Sequence, residues 1–303
     1  MKVLYENVNL RAEALKTIDR VNEVIDEYAA QGLTLTLRQA FYQFVSRGWI
    51  ENKDSEYKRL GGIVSDGRMA GLVDWDAIED RTRFLRALPA WKDPADIVSA
   101  CAHQYKTSWW ADQPTYVEVW VEKDALIGVL ESACRPLDVP YLSCRGYTSQ
   151  TEMRAAAVRI ALQILKRKRA VVIHLGDHDP SGMDMSRDIE ARLQTFLEVE
   201  AETHWVDNFE VRRIALTMAQ VQKYNPPPNP AKNTDSRFQE YGKLYGGSSW
   251  ELDALNPTVL RALISDEVML EVDQTLLKAA MQRDEDGRER LKKVVEKMRK
   301  GKL

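Results

Sequence analysis

The chain is poor in several features that would point to particular functions. Its 303 residues include only three cysteines, which show no metal-ligand spacing and fit a reducing compartment. No GxxxxGK[ST] loop is present, so a nucleotide-driven motor within this chain is not expected. No run of about 18 apolar residues occurs either, so we expect no membrane-spanning segment.

An excess of charge of one sign is also missing. Lys and Arg total 43 and Asp and Glu total 46, for a net charge of -3. This balance neither requires nor excludes a nucleic-acid partner, because binding to DNA needs only a locally basic face. The N-terminal residues contain no apolar signal segment, so we expect a cytoplasmic protein, and the length predicts about two domains.

The first part of the chain has the apolar spacing of three short helices. They are expected to end near Gly32, Gly48 and Met69, the second beginning after Thr36 and the third near Asp54. A short extended segment is expected to begin at residues 72–75. Three helices followed by a β segment are typical of a winged helix, so residues 1–110 are interpreted as a winged-helix-like DNA-binding domain.

The second part, residues 111–303, alternates strands with helices. Strands are expected at Tyr116–Val121, Tyr141–Cys144 and Ala170–Leu175, with helices at Ala125–Cys134, Thr151–Arg167 and Ser181–Leu197. This alternation predicts an α/β domain with a parallel sheet, and the apolar strands fit burial on both faces. A helical extension that ends in a basic tail, Arg288–Lys302, follows.

Acidic residues follow two of these strands. Glu122 and Lys123 come directly after the first, and Asp177 and Asp179 come just after the third. Ligands collect at the carboxyl ends of parallel strands, and paired carboxylates there are costly without a cation. Oxygen ligands without a His/Cys cluster favour Mg²⁺ or Mn²⁺. Alternatively, the two aspartates form a turn and a helix cap, and Glu122 is an ordinary surface acid.

These segments resemble a known family. Glu122-Lys123, Arg145-Gly146-Tyr147 and Asp177-His178-Asp179-Pro180-Ser181-Gly182 are similar to the Toprim domain of the topoisomerase VI A subunit and its meiotic double-strand-break relatives. The resemblance covers roughly residues 115–220. It implies a Rossmann-like Toprim domain in which Glu122, Asp177 and Asp179 hold Mg²⁺ beside the scissile phosphate, with Lys123 in the same catalytic set.

The same family carries a catalytic tyrosine in an upstream winged helix, in a pattern like R-x-x-[YF]-Y. Here Arg38 to Tyr42 read RQAFY, so the resemblance implies that Tyr42 is a nucleophile. Arg38 lies one helical turn earlier on the same face and could help the phenol to ionise, and Arg68 is expected to contact a phosphate. An aromatic residue beside Phe41 in an amphipathic helix also fits a core position, and both interpretations stay open.

The resemblance implies cleavage of double-stranded DNA by tyrosine transesterification, in a nucleoid-associated homodimer that forms each site in trans. Strand passage would require a separate ATPase subunit. One alternative is a hydrolytic Toprim nuclease with Tyr42 in the core. Another is a DNA-binding protein with a vestigial Toprim site.

Two acids near the C-terminal end of the chain have alternative interpretations. Glu251 and Asp253, in the segment Trp250–Leu255, either extend the acidic site or cap the helix that begins near Asn256-Pro257, and the cap is favoured. The basic tail is expected to be a solvated helix face, although its charge also suits contact with a DNA backbone.

Overall fold

Three helices pack on one another in the N-terminal region: α1 (Ala12–Ala29), α2 (Leu37–Ser46) and α3 (Asp54–Met69). The fold is known from a computed structural model, which describes residues 1–79, 88, 90–231 and 235–301. Two short strands, β1 (Leu35–Thr36) and β2 (Ile78–Glu79), pair in parallel beside the helices. The shared apolar core includes Ile18, Val21, Phe44, Leu60 and Val64.

The helix predictions for this region are confirmed, but the position of the extended segment is wrong. Residues 72–75 form no strand, and β2 lies at residues 78–79. The N–H groups of Leu72 and Val73 donate to the Gly67 carbonyl and complete the C-terminal cap of α3. Residues 80–87 and 89 lie outside the described part, and the winged-helix form stays a prediction.

A four-stranded parallel sheet forms the centre of the second region. After α4 (Pro94–Gln104) come β3 (Thr115–Val121), β4 (Tyr141–Ser143), β5 (Arg169–Leu175) and β6 (Phe209–Ala215). The spatial order is β4-β3-β5-β6, and every pair is parallel. The expectation of an α/β fold with a parallel sheet is therefore confirmed, while its finer assignment to Toprim stays a prediction.

Helices cover both faces of this sheet. The connecting helices are α5 (Ile127–Cys134), α6 (Gln150–Ile164) and α7 (Pro180–Glu200). The chain continues through α8 (Met218–Tyr224), β7 (Asn229–Pro230), α9 (Phe238–Tyr245), β8 (Ser248–Ser249), α10 (Pro257–Leu270) and α11 (Gln274–Arg299). α5 and α10 pack on the face that carries Val119, and α6 and α7 pack on the face that carries Trp120.

The C-terminal helix is anchored to the segment that enters the sheet. Asp284 of α11 is buried, and it accepts hydrogen bonds from the backbone and side chain of Thr107 and from the indole of Trp109. The basic tail forms the second half of α11, and Lys302 lies outside the described residues. None of the described helices has the length and apolar character needed to cross a membrane.

Candidate active site at the carboxyl edge of the sheet

The strand register brings the sequence-predicted acids to one edge of the sheet. Val121 of β3 pairs with Leu175 of β5, so the two central strands end side by side. Glu122 continues the pairing by donating its N–H to the Leu175 carbonyl at 2.9 Å. The two acidic segments therefore meet in space, as expected for the carboxyl ends of parallel strands.

Glu122 lies in a slot of backbone rather than on the surface. Its Oε2 accepts the N–H of Asp177 at 2.9 Å. A Cβ built on Gly176 or Gly182 would lie 3.0 Å from the same oxygen, so two glycines leave room for the carboxylate. Burial raises the pKa of Glu122, and the charge of Asp179 adds to this rise.

Asp177 is buried and paired with a lysine. Its Oδ1 accepts the N–H of Leu252 at 2.8 Å, and its Oδ2 lies 2.9 Å from the Lys123 ammonium. Burial raises the pKa of Asp177 well above its ordinary value, and the charge of Lys123 opposes that rise. Asp177 is therefore no simple turn residue, and its ionised form depends on a nearby cation.

Lys123 supplies that cation to several acids at once. Its Nζ lies 3.2 Å from Oδ1 of Asp253 and also contacts Glu251 and Asp177. Burial lowers the pKa of Lys123, but the charges of these three carboxylates outweigh burial and raise it. We call the five carboxylates of this region the acid edge, and they are Glu122, Asp177, Asp179, Glu251 and Asp253.

Asp179 has a second role as a helix cap. Its Oδ1 accepts the N–H of Gly182 at 2.6 Å and the hydroxyl of Ser181 at 2.9 Å at the start of α7. The helix-cap interpretation is therefore confirmed for Asp179. Because a carboxylate oxygen has two lone pairs, this bonding does not by itself prevent Asp179 from contacting a cation.

The expected cap at Glu251 and Asp253 is wrong. Asn256 caps α10, its side chain accepting the N–H of Thr258. Asp253 instead accepts a hydrogen bond from Arg38 Nε at 3.1 Å, and its side chain is 0% exposed. The reason is tertiary: two cations, Lys123 and Arg38, converge on this turn from distant parts of the chain.

Arg38 links the acid edge to Tyr42, because it donates hydrogen bonds to both. Its Nη2 donates to the Tyr42 hydroxyl at 3.2 Å, while its Nε holds Asp253. The two residues lie on α2, whose first turn is fixed by a capping box between Thr36 and Gln39. The helical spacing that put Arg38 and Tyr42 on one face in the sequence is confirmed.

Tyr42 lies in the apolar core and also contacts Arg38, so its core position is confirmed and its role as a nucleophile stays a prediction. It is 5% exposed and packs in the apolar core, with its ring against Phe41. Burial raises its pKa to about 12, the charges of Asp253 and Glu251 add to the rise, and Arg38 opposes it. Tyr42 also lines a 150 Å³ cavity together with Arg38, Asn52, Lys53 and Tyr57.

Sequence reasoning missed Arg213, which fixes the loop that carries the aspartates. Its guanidinium donates to the carbonyls of Gly176, Asp177 and Gly182 at 2.6–2.9 Å. Arg213 lies on β6, a strand that was not predicted because arginines interrupt its apolar positions. The alternation of Phe209 and Val211 with charged residues was a signal that could have found it.

Arg68, the predicted phosphate contact, lies away from this network, whereas His178 lies in the loop that carries the two aspartates. Nη2 of Arg68 donates to the backbone carbonyls of Trp75 and Ile78, so it ties β2 to α3, and its phosphate contact stays a prediction. His178 lies between the two aspartates but is buried against aromatic rings, with Nδ1 2.9 Å from the Tyr241 hydroxyl.

The acid edge fits a hard divalent cation in donor chemistry. Across the described ranges, no three His, Cys or acidic side chains stand as a ready-made metal cage. The available donors are nevertheless all carboxylate oxygens, the ligands that Mg²⁺ and Mn²⁺ prefer. The five carboxylates face three cations, which are Arg38, Lys123 and Arg213. When all of these groups are ionised, the cluster therefore has a net negative charge.

Comparisons with protein-family models, with curated proteins and with solved structures find no match to this chain. The functional interpretation therefore depends on the residues and contacts described above.

Proposed function

We propose that this chain is a metal-dependent DNA-cleaving enzyme that resembles the A subunit of topoisomerase VI. The supporting observation is one unbroken series of contacts. It runs from the Tyr42 hydroxyl through Arg38 to Asp253, and from there through Lys123 to Asp177. These contacts support the proposal that the candidate nucleophile and the candidate metal ligands belong to one site.

In the proposed reaction, Tyr42 attacks a phosphodiester. The phenol loses its proton to solvent water, its oxygen forms a bond to phosphorus, and the bond from phosphorus to one deoxyribose oxygen breaks. That oxygen takes up a proton from solvent, and the DNA stays joined to the chain as a phosphotyrosine. Since burial raises the pKa of Tyr42 to about 12, the guanidinium of Arg38 is needed beside the forming phenolate.

Glu122, Asp177 and Asp179 would hold Mg²⁺ or Mn²⁺ at this site. Such an ion, when bound, supplies stabilisation of negative charge on the phosphate. The chain's own contribution is to keep these acids oriented: Arg213 fixes the loop carbonyls, and Leu252 fixes Oδ1 of Asp177. Lys123 keeps the charge of Asp177 compensated before substrate arrives.

A second candidate is a hydrolytic Toprim nuclease, and the burial of Tyr42 favours it. The ring is 5% exposed in the core and its pKa is raised to about 12, both of which fit a structural tyrosine. In that enzyme, water would attack the phosphate and Tyr42 would only support α2. A DNA-binding protein with a vestigial site is the third possibility, and it would cut nothing.

We further propose double-stranded DNA as substrate, a homodimer for cutting both strands, and a cytoplasmic, nucleoid-associated location. A separate ATPase subunit would be required for strand passage. These proposals follow from the family resemblance of the motifs, and the same assay tests the first of them.

The test is cleavage of supercoiled plasmid with Mg²⁺ or Mn²⁺, quenched with denaturant and resolved with and without protease. Tyr42→Phe and Asp177→Ala/Asp179→Ala are compared with wild type. Tyr28→Phe removes another hydroxyl from the same apolar core, and Glu198→Ala removes an exposed acid from α7, so both serve as matched controls.

The proposal expects protein-linked DNA from wild type and from both controls, and none from Tyr42→Phe or the aspartate variant. Unlinked ends that persist in Tyr42→Phe but not in the aspartate variant would establish the hydrolytic nuclease instead. DNA binding without cleavage in either metal would favour the vestigial site.

A further inference from the structure

Asp253 is a buried carboxylate that contacts both parts of the candidate site. Its Oδ2 accepts from Arg38 Nε at 3.1 Å, and its Oδ1 lies 3.2 Å from the Lys123 ammonium. The side chain is 0% exposed, so its charge has lost its hydration. Such a charge is tolerated only when fixed cations replace the water, which makes the positions of Arg38 and Lys123 interdependent.

The backbone of Asp253 is held from two sides as well. It lies in a 3-10 turn, Leu252–Ala254, whose first residue donates its N–H to Oδ1 of Asp177. The last residue of the turn, Ala254, packs into the apolar core of the N-terminal helices. The turn is therefore a fixed bridge between the acid edge and α2.

Arg38 depends on this bridge for its position. It is a long side chain that is about half exposed, and free rotation would draw its charge away from Tyr42 into water. Asp253 holds Nε, which leaves Nη2 directed at the Tyr42 hydroxyl. Removing the Asp253 carboxylate should take away the hydrogen bond that fixes Nε and leave only the longer contact of Nη2 with Glu251, at 3.6 Å. No residue that hydrogen-bonds to Tyr42 is altered.

We propose that Asp253 is a positioning residue that holds Arg38 beside the Tyr42 hydroxyl and Lys123 beside Asp177, so that one chain assembles a complete site. This inference rests on the proposed function for its meaning in catalysis, but the arrangement of the side chains can be tested without it. It differs from the trans arrangement that the family resemblance implies.

The first test measures the pKa of Tyr42 without any substrate or metal. Fluorotyrosine placed only at position 42 of the full chain reports its own ionisation by ¹⁹F NMR. The titration is run, in chelator, on four backgrounds: wild type, Asp253→Asn, Arg38→Ala and the double variant. Asp266→Asn, an exposed aspartate on α10, is the matched control.

Asp253→Asn has two opposite effects on this pKa. Loss of its negative charge lowers the pKa in every background, whereas release of Arg38 raises it only where Arg38 is present. We therefore expect a clear decrease when Asp253→Asn is made in Arg38→Ala, and a smaller decrease or an increase when it is made in wild type. Equal decreases in both backgrounds would show that Asp253 acts by charge alone and would overturn the positioning role.

The second test addresses whether one chain assembles the site, and it uses no Asp253 variant, so it can be carried out even if that variant does not fold. Tyr42→Phe chains and Asp177→Ala/Asp179→Ala chains are co-expressed and tested for protein-linked DNA. If one chain forms the site, neither partner can complete the other and no adduct appears. Sites formed in trans would instead restore roughly a quarter of the wild-type adduct, because half of the dimers would be mixed with one intact site each.

Failure of the proposed function gives a different result from failure of this inference. If wild type forms no protein-linked DNA, tyrosine transesterification is wrong, and the fluorine titration alone decides the role of Asp253. If wild type forms the adduct and the co-expressed variants restore it, cleavage stands and the one-chain site is wrong.

Discussion

Both ends of the parallel sheet carry clustered charged side chains. The pKa of a carboxylate at one end is lowered, whereas the pKa values of two carboxylates at the other end are raised. At the amino end, Arg169 and Arg212 pair with Glu210, Glu267 and Glu271, and we call these five residues the amino-end cluster. Hydrogen bonding from Arg212 lowers the pKa of Glu210. At the acid edge, burial raises the pKa of both Glu122 and Asp177.

This difference separates a structural cluster from a candidate functional one. Carboxylates with lowered pKa values favour the folded state at neutral pH, because folding stabilises their charged form. Carboxylates with raised pKa values disfavour it, and such groups accumulate where a site must receive a cation or a substrate. Glu122 and Asp177 therefore contribute less to stability than their short contacts suggest.

The largest effect is expected from Lys123→Met, which leaves three carboxylates without their shared cation. Removing the cation from a buried charge network, while its carboxylates remain, should lower the free energy of unfolding by about 3–5 kcal/mol at neutral pH. Arg169→Met in the more exposed amino-end cluster should cost only about 1 kcal/mol. Urea denaturation of both variants measures the contrast, and equal losses would remove the distinction between the two ends.

Gly182→Ala tests the backbone slot around Glu122. A Cβ at this position would lie 2.4 Å from the Asp177 carbonyl oxygen, so the loop must shift. We expect a loss of about 1–3 kcal/mol in the free energy of unfolding, typical of overpacking. Gly242→Ala in α9 is the control, since its Cβ would meet Phe238 at an ordinary 3.5 Å. A Gly182→Ala chain as stable as that control would contradict the slot.

Asp177→Asn should change how stability depends on pH. A group with a raised pKa keeps its proton in the folded state after the unfolded chain has lost it. Stability therefore falls as the pH rises above the ordinary value of 3.8, by at most about 1.4 kcal/mol per pH unit. In chelator, the variant should lose the part of this slope that Asp177 contributes, while Glu122, whose pKa is also raised, keeps its own part. Denaturation curves at a series of pH values measure it, and a slope as steep as that of wild type would show that Asp177 does not contribute.

The smallest effect is expected at the amino end, from Glu210→Gln. Because the pKa of Glu210 is lowered, its stabilising contribution is present above the ordinary value of 4.5 and is lost as the pH falls through the folded value. The pair is partly exposed, so we expect a loss of about 0.5 kcal/mol at neutral pH that disappears in acid. A loss that instead grows in acid would place Glu210 with the acid edge.

Local sequence pattern predicted the elements but not the contacts between regions. The spacing of apolar residues predicted four of the elements, α2, α3, β3 and β5. Glu122 and Asp177 could also be predicted to meet, because the carboxyl ends of neighbouring parallel strands lie at the same edge of a sheet. The partnership of Arg38 with Asp253 spans 215 positions, and no short-range pattern encodes it. For the same reason, Asp253 resembled a helix cap until its tertiary partners were visible.

The two glycines beside Glu122 also define how relatives of this chain should be sought. A Cβ at Gly176 or Gly182 would lie 3.0 Å from the Glu122 carboxylate, so a side chain at either position would crowd it. A search profile should therefore require both glycines around the aspartates, in the form G-D-x-D-P-x-G, together with Glu-Lys after an earlier strand. A chain that keeps D-x-D but fills either glycine position is a weaker match, because its glutamate would have to move by a few tenths of an ångström.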